Sequence, residues 1–314
     1  MKLSVVTTLY YSAPYIEELY KRTSVAAREL VGDDFEIVFV NDGSPDNSLE
    51  LAIKLAEEDS HIVVVDLSRN FGHHKAMMTG LTQAKGEHIF LIDSDLEEAP
   101  EWLASFEQQM REEDSDMVYG VLAKRNGGWV EKLTGWFFYR IFRLLTGVAQ
   151  PDNIATARLM TRRYVQALVA HQERELNIGG LWITTGFHQS MQFVDKDWKG
   201  STTYSLKKKF SHLVNAVTSF SSLPLLFIFY AGLMISLSAA IFILYLAALY
   251  FLIATPPEGY LSVIASVWMF SGLIILFIGM QGIYISKIFS EVKQRPYTIV
   301  RQIYCKNYVK KEIK

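Results

Sequence analysis

Two carboxylates, Asp93 and Asp95, directly follow the apolar run Ile89–Ile92. A short run without a polar member is typical of a buried central strand, so the two acids are expected at its carboxyl end. In an open α/β sheet that end binds ligands, and two acids one residue apart can hold a hard divalent cation by oxygen. The D-x-D pattern therefore predicts a metal and diphosphate site. The alternative is a solvated turn followed by a helix, with Asp95 or Glu97 near the helix N-terminus.

The segments before this motif alternate between two periodicities. Apolar, β-branched runs occupy residues 3–9, 35–40 and 61–67, and helical spacing occupies 13–30, 48–58 and the stretch from Gly72 to about Ala84. Strands alternating with helices predict a parallel sheet with right-handed crossovers, that is, a doubly wound α/β domain. A further strand is expected at residues 117–122.

The loops after these strands are expected to meet along one edge of the sheet. There, Tyr10 could stack on a base, Asp42 could accept a hydrogen bond from a base or a ribose hydroxyl, and Arg69 could meet phosphate. The chain contains no G-x-G-x-x-G after the first strand and no P-loop sequence, which disfavours a dinucleotide fold and a P-loop enzyme. A nucleoside-diphosphate compound is the remaining class of ligand. Its candidate binding residues are Thr8, Tyr10, Asn41, Asp42, Arg69, Asn70 and Ser94.

Composition narrows the class of protein. Half of the 314 residues are apolar, which is high for a purely soluble protein, and the net charge of −2 argues against nucleic acid as a partner. The single cysteine, Cys305, excludes an intrachain disulfide and a cysteine-based zinc site. The first residues form too short an apolar run for a signal peptide, so the N-terminal domain is expected in the cytoplasm.

Three segments together resemble family 2 glycosyltransferases of the dolichyl-phosphate mannose synthase and bactoprenyl-phosphate glucosyltransferase type. These segments read SVVTTLYYSAPYI, EIVFVNDGSPDNS and VVDLSRNFGHHKAMMTGLTQAKGEHIFLIDSDLEEAPE. The resemblance extends over nearly the whole chain, because bactoprenyl members also carry two C-terminal membrane helices. It implies a GT-A-type fold with a mostly parallel sheet, a nucleotide-sugar donor, a divalent cation (Mg or Mn) and a polyprenyl-phosphate acceptor.

The sequence departs from that family pattern at several positions. Tyr11 stands where the family usually has Asn, and Asn41 stands where the first of two Asp residues usually lies. The segment Leu96–Pro100 reads Leu-Glu-Glu-Ala-Pro in place of the usual Leu-Gln-Asp-Pro-Pro. The adjacent histidines His73 and His74 could serve as metal ligands, but loop packing or proximity to phosphate is the commoner role at a helix start.

The largest departure is Thr156, at the position of an Asp that is discussed in the family as a possible catalytic base. A phosphate acceptor is already anionic at neutral pH and needs no strong base, whereas a hydroxyl acceptor would need one. Asp152 could substitute for the missing acid. The candidate catalytic residues are Asp93, Asp95, Asp152 and Arg158, with Asp93 and Asp95 as the metal ligands.

Residues 129–146 and 179–187 follow the predicted sheet. The first reads WVEKLTGWFFYRIFRLLT and at helical spacing has a wide apolar face and a basic strip, which is typical of a helix in a membrane interface. A core helix of the domain is the alternative. The second is rich in glycine and aromatic residues, and is either a loop at the acceptor mouth or a connector with a buried Trp182.

Residues 223–254 and 261–286 contain no charged side chain, and each stretch exceeds the roughly 20 residues that span a bilayer. They predict a hairpin of two transmembrane helices. The loop between them has no basic residue, whereas Lys207, Lys208 and Lys209 precede the hairpin and a basic tail at 287–314 follows it, so both ends are expected in the cytoplasm. Residues 1–204 would then form the catalytic domain and 205–222 a juxtamembrane helix. The candidates for binding the lipid phosphate are Arg158, Lys207, Lys208 and Lys209.

These features together predict a multi-pass enzyme of the cytoplasmic (inner) membrane that transfers a sugar to a polyprenyl phosphate with inversion, for modification of cell-envelope glycans. A UDP-sugar is the expected donor, membrane lipid is an expected partner, and a homo-oligomer remains open. Two alternatives also remain open. One is transfer to a hydroxyl of a lipid-linked glycan, and the other is a non-catalytic membrane adaptor that keeps a nucleotide pocket. The retained Asp93 and Asp95 argue against the adaptor.

Overall fold

The computed structural model describes residues 1–122, 154–173, 178–195, 223–253 and 259–306. The chain divides into two compact units, one of residues 1–139, 148–204 and 295–314 and the other of residues 140–147 and 205–294. Several predicted features lie outside the described residues: the interface helix at 129–146, Asp152, the juxtamembrane helix at 205–222, and Lys207, Lys208 and Lys209.

The first unit begins with alternating strands and helices, as the sequence predicts. The strands are β1 (Leu3–Leu9), β2 (Phe35–Asn41), β3 (Ile62–Leu67) and β4 (His88–Leu91), and the helices are α1 (Ile16–Val31), α2 (Ser48–Glu58) and α3 (His73–Gln83). β1 pairs in parallel with both β2 and β4, and β2 pairs in parallel with β3. The carboxyl ends of all four strands therefore point to one edge, as required for the predicted site.

The remaining elements make the sheet mixed. They are α4 (Trp102–Glu112), β5 (Met117–Leu122), β6 (Ile154–Thr161), α5 (Arg162–Val169), α6 (Ile178–Thr184), β7 (Gln189–Val194) and β8 (Val300–Tyr304). The strand order is β7-β5-β6-β4-β1-β2-β3-β8. β6 runs antiparallel to β4 and β5, and β8 runs antiparallel to β3. The fold is thus α/β with a GT-A-like mixed sheet. The pairs β3–β8, β4–β6 and β5–β6 are antiparallel.

Helices cover both faces of the sheet, which explains why every residue of β1 and β2 is buried. Residues of α1, α2 and α4 form one apolar cluster with the sheet, and residues of α3, α5 and α6 form the other. Gly80 brings α3 close to the sheet, because a Cβ there would lie only 2.5 Å from Cγ1 of Val6. α3 therefore packs closely on β1 and β2.

Two elements of the first unit go beyond what the sequence predicted. The helix after the D-x-D motif begins at Trp102, so Asp95 and Glu97 lie in a loop of turns and bends, and the alternative that placed them near a helix N-terminus is wrong. The region expected as a basic tail contains β8, which returns the chain to the edge of the sheet beside β3.

The second unit contains two long helices, α7 (Leu223–Ile253) and α8 (Tyr260–Val292). Within the described residues, the segment Met269–Val292 is long and apolar enough to cross a membrane. Leu223–Ile235 is a shorter apolar segment by the same measure. The predicted two-helix transmembrane hairpin is therefore not confirmed and stays a prediction.

Candidate active site

Hydroxyl groups tie together the loops after β1, β2 and β4. The backbone N–H of Tyr11 donates to Oγ of Ser44 at 2.8 Å, and Oγ of Ser12 lies 2.8 Å from Oγ of Ser94 between the two aspartates. Tyr11 has a φ of 54°, in the left-handed region that residues with a Cβ seldom occupy. Such a conformation persists where the surroundings fix it, so the β1 loop is held in one shape against its neighbours.

Asp46 is the hydrogen-bond centre of the loop after β2. Its Oδ1 accepts from Oγ of Ser44 at 2.6 Å and from Oγ of Ser48 at 2.5 Å, and its Oδ2 accepts from the N–H of Ala13 at 3.2 Å. Burial raises the pKa of Asp46, but these hydrogen bonds to the ionised form outweigh it, so the pKa lies below its usual value. Asp46 therefore joins the loops after β1 and β2 as a carboxylate.

Asp42 holds the loop between β3 and α3. One carboxylate oxygen accepts from the N–H of Phe71 at 2.7 Å and the other from the N–H of Gly72 at 3.0 Å. Burial raises the pKa of Asp42 despite these two bonds. The side chain is buried, and its direct contacts are to this loop. These contacts make Asp42 a support of the loop, and its predicted contact with a nucleotide stays a prediction.

Asn41 is also buried, and its side-chain amide hydrogen-bonds to neighbouring residues. Its Nδ2 donates to Oδ1 of Asp66 at 2.8 Å, and its Oδ1 accepts from the N–H of Ser44 at 3.2 Å. The adjacent Gly43, with a φ of +60°, lies so close to the next loop that a Cβ would be 2.5 Å from the backbone N of Asn70. The loops after β2 and β3 therefore pack backbone to backbone.

Exposed side chains at this edge include Tyr10, Tyr11, Arg69 and Asn70. Tyr10 is 49% exposed, and its ring contacts that of Tyr11 edge to face. Arg69 is exposed and lies over the ring of Phe71 at 4.2 Å, with an N–H donated to the carbonyl of Asn70. An exposed aromatic ring and an exposed guanidinium at one edge of the sheet suit a base and a phosphate.

Asp93 lies half-buried at the end of β4, next to His73 of α3. Nε2 of His73 is 3.3 Å from Oδ1 of Asp93, and Nδ1 of the same ring is 2.9 Å from Oγ1 of Thr8. Burial lowers the pKa of His73, but the hydrogen bond and charge of Asp93 outweigh it and the pKa is raised overall. Thr8, expected at the nucleotide, is thus buried under His73, and the histidine adjoins the D-x-D motif.

Asp95 follows in the same loop, half-buried, with its Oδ1 accepting from the N–H of Glu97 at 3.0 Å. Leu96 between them has a φ of 58°, so this loop too is held in an uncommon conformation. Carboxylate oxygens at a half-open edge suit Mg²⁺ or Mn²⁺. No group of three His, Cys, Asp or Glu residues in the described part of the chain could hold a metal alone. An ion held by the two aspartates would take its remaining ligands from water and phosphate.

Glu98 is a site residue that the sequence did not single out as functional. It is fully buried, its Oε1 accepts from the N–H of Thr156 at 2.7 Å, and its Oε2 lies 3.5 Å from the N–H of Asp93. Glu98 thereby joins the D-x-D loop to β6. Glu98 lies in the segment Leu96–Pro100, where the sequence departs from the family pattern. Its contact with Thr156 is visible only in the folded structure.

Arg158 is among the largest fully buried side chains, at 1% exposure. Its guanidinium donates to the carbonyls of Thr156 and Ala155, both at 2.9 Å, and stacks on the ring of Trp182. Burial lowers the pKa of Arg158 to about 9, so it remains charged at neutral pH. The guanidinium is buried among these groups, and its role at a lipid phosphate stays a prediction. Trp182 is buried in α6, which agrees with a connector and not with an open loop.

A family model described as "Glycosyl transferase family 2" matches residues 4–169, more than half of the chain. The matched region contains β1 to β4, the D-x-D loop, β6 and α5. The chain belongs to this family. As a family 2 glycosyltransferase it is a transferase enzyme, and this agrees with the sugar-nucleotide chemistry that the sheet edge favours.

Similar proteins match over most of their length. One from Mycobacterium tuberculosis, named "Putative glycosyltransferases", is 50% identical over 97% of this chain and 89% of its own. The "Uncharacterized glycosyltransferase YkcC" of Bacillus subtilis is 32% identical over 97% of this chain and 94% of its own.

Among solved structures, S. aureus TarS 1-349 in complex with UDP-GlcNAc covers 70% of this chain and 66% of its own, with a TM-score of 0.46 and 20% identity. Mannosyl-3-phosphoglycerate synthase from Rubrobacter xylanophilus covers 70% of this chain and 73% of its own, with a TM-score of 0.49 and 18% identity.

Proposed function

We propose that this family 2 glycosyltransferase transfers a sugar from a nucleoside-diphosphate sugar to a polyprenyl phosphate at the cytoplasmic face of the membrane. The observation that carries the proposal is the sheet edge at which Asp93 and Asp95 lie beside the loops of Tyr10 and Arg69. A UDP-sugar is the donor favoured by the resemblance, and the modified lipid would serve cell-envelope glycans.

The donor would lie across the exposed side chains of the edge. Tyr10 would stack on the base, while Arg69 and Asn70 would contact the ribose or the phosphates. Asn41, Asp42 and Asp46 would support this surface from beneath, because their hydrogen bonds fix the loops that carry it. Fixed loops lower the entropic cost of ordering the site on binding.

Asp93 and Asp95 would hold a magnesium or manganese ion, which would neutralise charge on the leaving diphosphate. His73 lies 3.3 Å from one oxygen of Asp93, which orients that carboxylate toward the edge. Glu98 supports the same loop from inside the domain. Asp93 is thus held between the half-exposed His73 and the buried Glu98, and Asp95 is held by the N–H of Glu97.

An oxygen of the lipid phosphate would attack the anomeric carbon from the face opposite the diphosphate. A bond forms between that oxygen and the anomeric carbon, the bond from the carbon to the diphosphate breaks, and the configuration inverts. The electron pair leaves with the nucleoside diphosphate. No proton needs to be removed from a phosphate oxygen that is already anionic, which is consistent with Thr156 at the position of the family's acid.

The membrane anchor we propose is the hairpin of α7 and α8. Support comes from β8, which follows α8 in the chain and yet pairs with β3 in the catalytic sheet. Because β3 and β8 are neighbours in one sheet, the chain between them must cross the membrane an even number of times. Two crossings fit the two uncharged stretches, and the basic residues outside them fit a cytoplasmic sheet. Lys207, Lys208 and Lys209 would attract the lipid phosphate at that surface.

The proposal is tested by incubating purified full-length protein with undecaprenyl phosphate and a panel of UDP-, GDP- and dTDP-sugars. Undecaprenol, which carries a hydroxyl in place of the phosphate, is the matched acceptor control. We expect a new lipid whose mass corresponds to one sugar on the phosphate, and none with undecaprenol. Product on hydroxyl acceptors alone would support the hydroxyl transferase. No product with any donor would contradict the proposal and favour the adaptor.

A further inference from the structure

Strand β8 is firmly attached to the catalytic sheet, although it follows the second apolar helix in the chain. Its approach is fixed by a bond between Oγ1 of Thr298 and Oγ1 of Thr79 at 2.7 Å and by the N–H of Ser68, which donates to the carbonyl of Ile299 at 2.9 Å. At its far end Nζ of Lys306 donates to the carbonyl of Glu58 at 2.6 Å. β8 therefore covers an edge of the sheet that would otherwise be open.

The pairing of β8 with β3 contains a bulge at Arg301. Asp66 of β3 lies opposite Gln302, but the next residue, Leu67, lies opposite Val300, so Arg301 is the extra residue on β8. A bulge of this kind turns a side chain away from the regular alternation of the strand. NH1 of Arg301 lies 3.3 Å from Oδ2 of Asp66, and NH2 donates to the carbonyl of Ser68 at 2.6 Å.

Asp66 connects Arg301 to the loop after β2. Its side chain is 1% exposed, whereas that of Arg301 is 56% exposed, so the guanidinium closes over a buried carboxylate. The other oxygen of Asp66 accepts from Nδ2 of Asn41, and Oδ1 of Asn41 accepts from the N–H of Ser44. Arg301, Asp66, Asn41 and Ser44 form a continuous chain of polar contacts, here called the relay, from β8 to the candidate donor site.

We propose that Arg301 is a positioning residue for the donor site, which fixes the loop Asn41–Ser44 through Asp66 and so makes nucleotide affinity depend on the docking of β8. A buried carboxylate needs compensation, and Arg301 is the cation that supplies it among the described residues. Without it, Asp66 and Asn41 can rearrange or admit water, and the amide of Asn41 no longer has one required orientation. This inference rests on the proposed function in one respect, namely that a nucleotide binds at this edge of the sheet.

Full-length Arg301→Gln is the test variant, and affinity for UDP is measured by calorimetry. Loss of a contact in such a network is expected to weaken UDP binding roughly twofold to thirtyfold. Arg301→Lys keeps the cation and should recover most of the affinity. Lys306→Gln is the comparison variant, since it removes a cation that docks the far end of β8 without touching Asp66, and its UDP affinity should fall much less than that of Arg301→Gln. Equal affinities for Arg301→Gln and wild type would overturn the proposal, as would an equal loss in Lys306→Gln.

Kinetics and hydrogen exchange separate positioning from general stability. Arg301→Gln should raise the donor KM with little change in kcat or in acceptor KM, and it should speed exchange of the Ser44 amide relative to amides of α4. In an Asn41→Ala background, where the relay is already broken, Arg301→Gln should have little further effect on UDP affinity. An undiminished effect in that background, or unchanged exchange at Ser44, would contradict the relay.

These measurements also distinguish failure of the relay from failure of the proposed function. If the wild type binds UDP but no lipid product forms, the acceptor assignment fails while the affinity comparison still decides the relay. If the wild type binds no UDP, the donor assignment fails, and exchange at Ser44 in Arg301→Gln still decides whether β8 orders this loop.

Discussion

The polar side chains at the sheet edge form two groups. Buried side chains fix the loops by hydrogen bonds, and exposed side chains are available to contact a ligand. Asn41, Asp42 and Glu98 are buried and accept hydrogen bonds from backbone N–H groups, in turn those of Ser44 in the same loop, Phe71 in the β3 loop and Thr156 in β6. Tyr10 and Arg69 are exposed at the same edge. From the sequence, Asn41 and Asp42 were predicted to contact the ligand and Glu98 was given no role. A sequence does not show which neighbour each side chain hydrogen-bonds, so supporting residues could not be told from contacting ones.

Thr156→Ala tests whether a catalytic base is needed at this position. Thr156 contacts Glu98 through its backbone N–H and Arg158 through its backbone carbonyl, and alanine retains both contacts. We expect loss of at most one side-chain hydrogen bond, about 1 kcal/mol or roughly fivefold in rate. Steady-state turnover with undecaprenyl phosphate measures it. A hydroxyl acceptor would instead need a base, so a loss of about 10²–10⁴-fold in Thr156→Ala or in Asp152→Asn, with an intact fold, would contradict a phosphate acceptor.

Asp46→Asn tests the charge at the centre of the β2 loop. The pKa of Asp46 is depressed in the folded protein, so its stabilising contribution is present above the unfolded pKa, about 4, and is lost as pH falls through the folded pKa. The melting temperature of the variant should therefore fall below that of wild type at neutral pH, and the difference should shrink toward pH 3 or below. A difference independent of pH would mean that the charge is not what stabilises this loop.

At the scale of elements, the site depends on close approach of loops from different strands. The bounds of β1, α2 and β5 agree with the sequence prediction, because their periodicity and flanking turn residues are local features. β8 could not be predicted in this way, since its five residues, VRQIY, become a strand only by pairing with β3, far earlier in the chain. The relay through Asp66 was equally inaccessible, because it exists only once β8 lies beside β3.

Gly43→Ala tests the packing of the β2 loop on the β3 loop. Gly43 has a φ of +60° and its added Cβ would lie 2.5 Å from the backbone N of Asn70. Gly186 has a φ of +76° with nothing within 4 Å of an added Cβ, which makes Gly186→Ala a matched control. The left-handed conformation costs each variant about 1–2 kcal/mol, and Gly43→Ala must also displace a backbone. We expect lower thermal stability and weaker UDP binding in Gly43→Ala. Equal losses in the two variants would show that the loops do not pack this closely.

At the scale of the whole molecule, the chain returns to the sheet after the two apolar helices, so β3 and β8 must lie on the same side of any membrane that these helices cross. The described part of the sheet contains strands that precede the apolar helices in the chain and one strand, β8, that follows them. With two membrane crossings, the proposed hairpin places all of these strands on one side. A reporter fused after Lys314 should therefore be active on the cytoplasmic side, like one fused before Met1. Cleavage of the tail by protease added outside the membrane would contradict the hairpin.

The most direct test of a metal-bridged diphosphate site at Asp93 and Asp95 is UDP binding to the full-length protein by calorimetry, with Mg²⁺ and with EDTA. We expect clear binding with Mg²⁺ and binding at least about tenfold weaker in EDTA, corresponding to about 1.4 kcal/mol. Asp95→Asn should bind UDP as weakly with Mg²⁺ as the wild type does in EDTA. Equal UDP affinity in Mg²⁺ and EDTA, or an Asp95→Asn protein that binds like wild type, would contradict the proposed site.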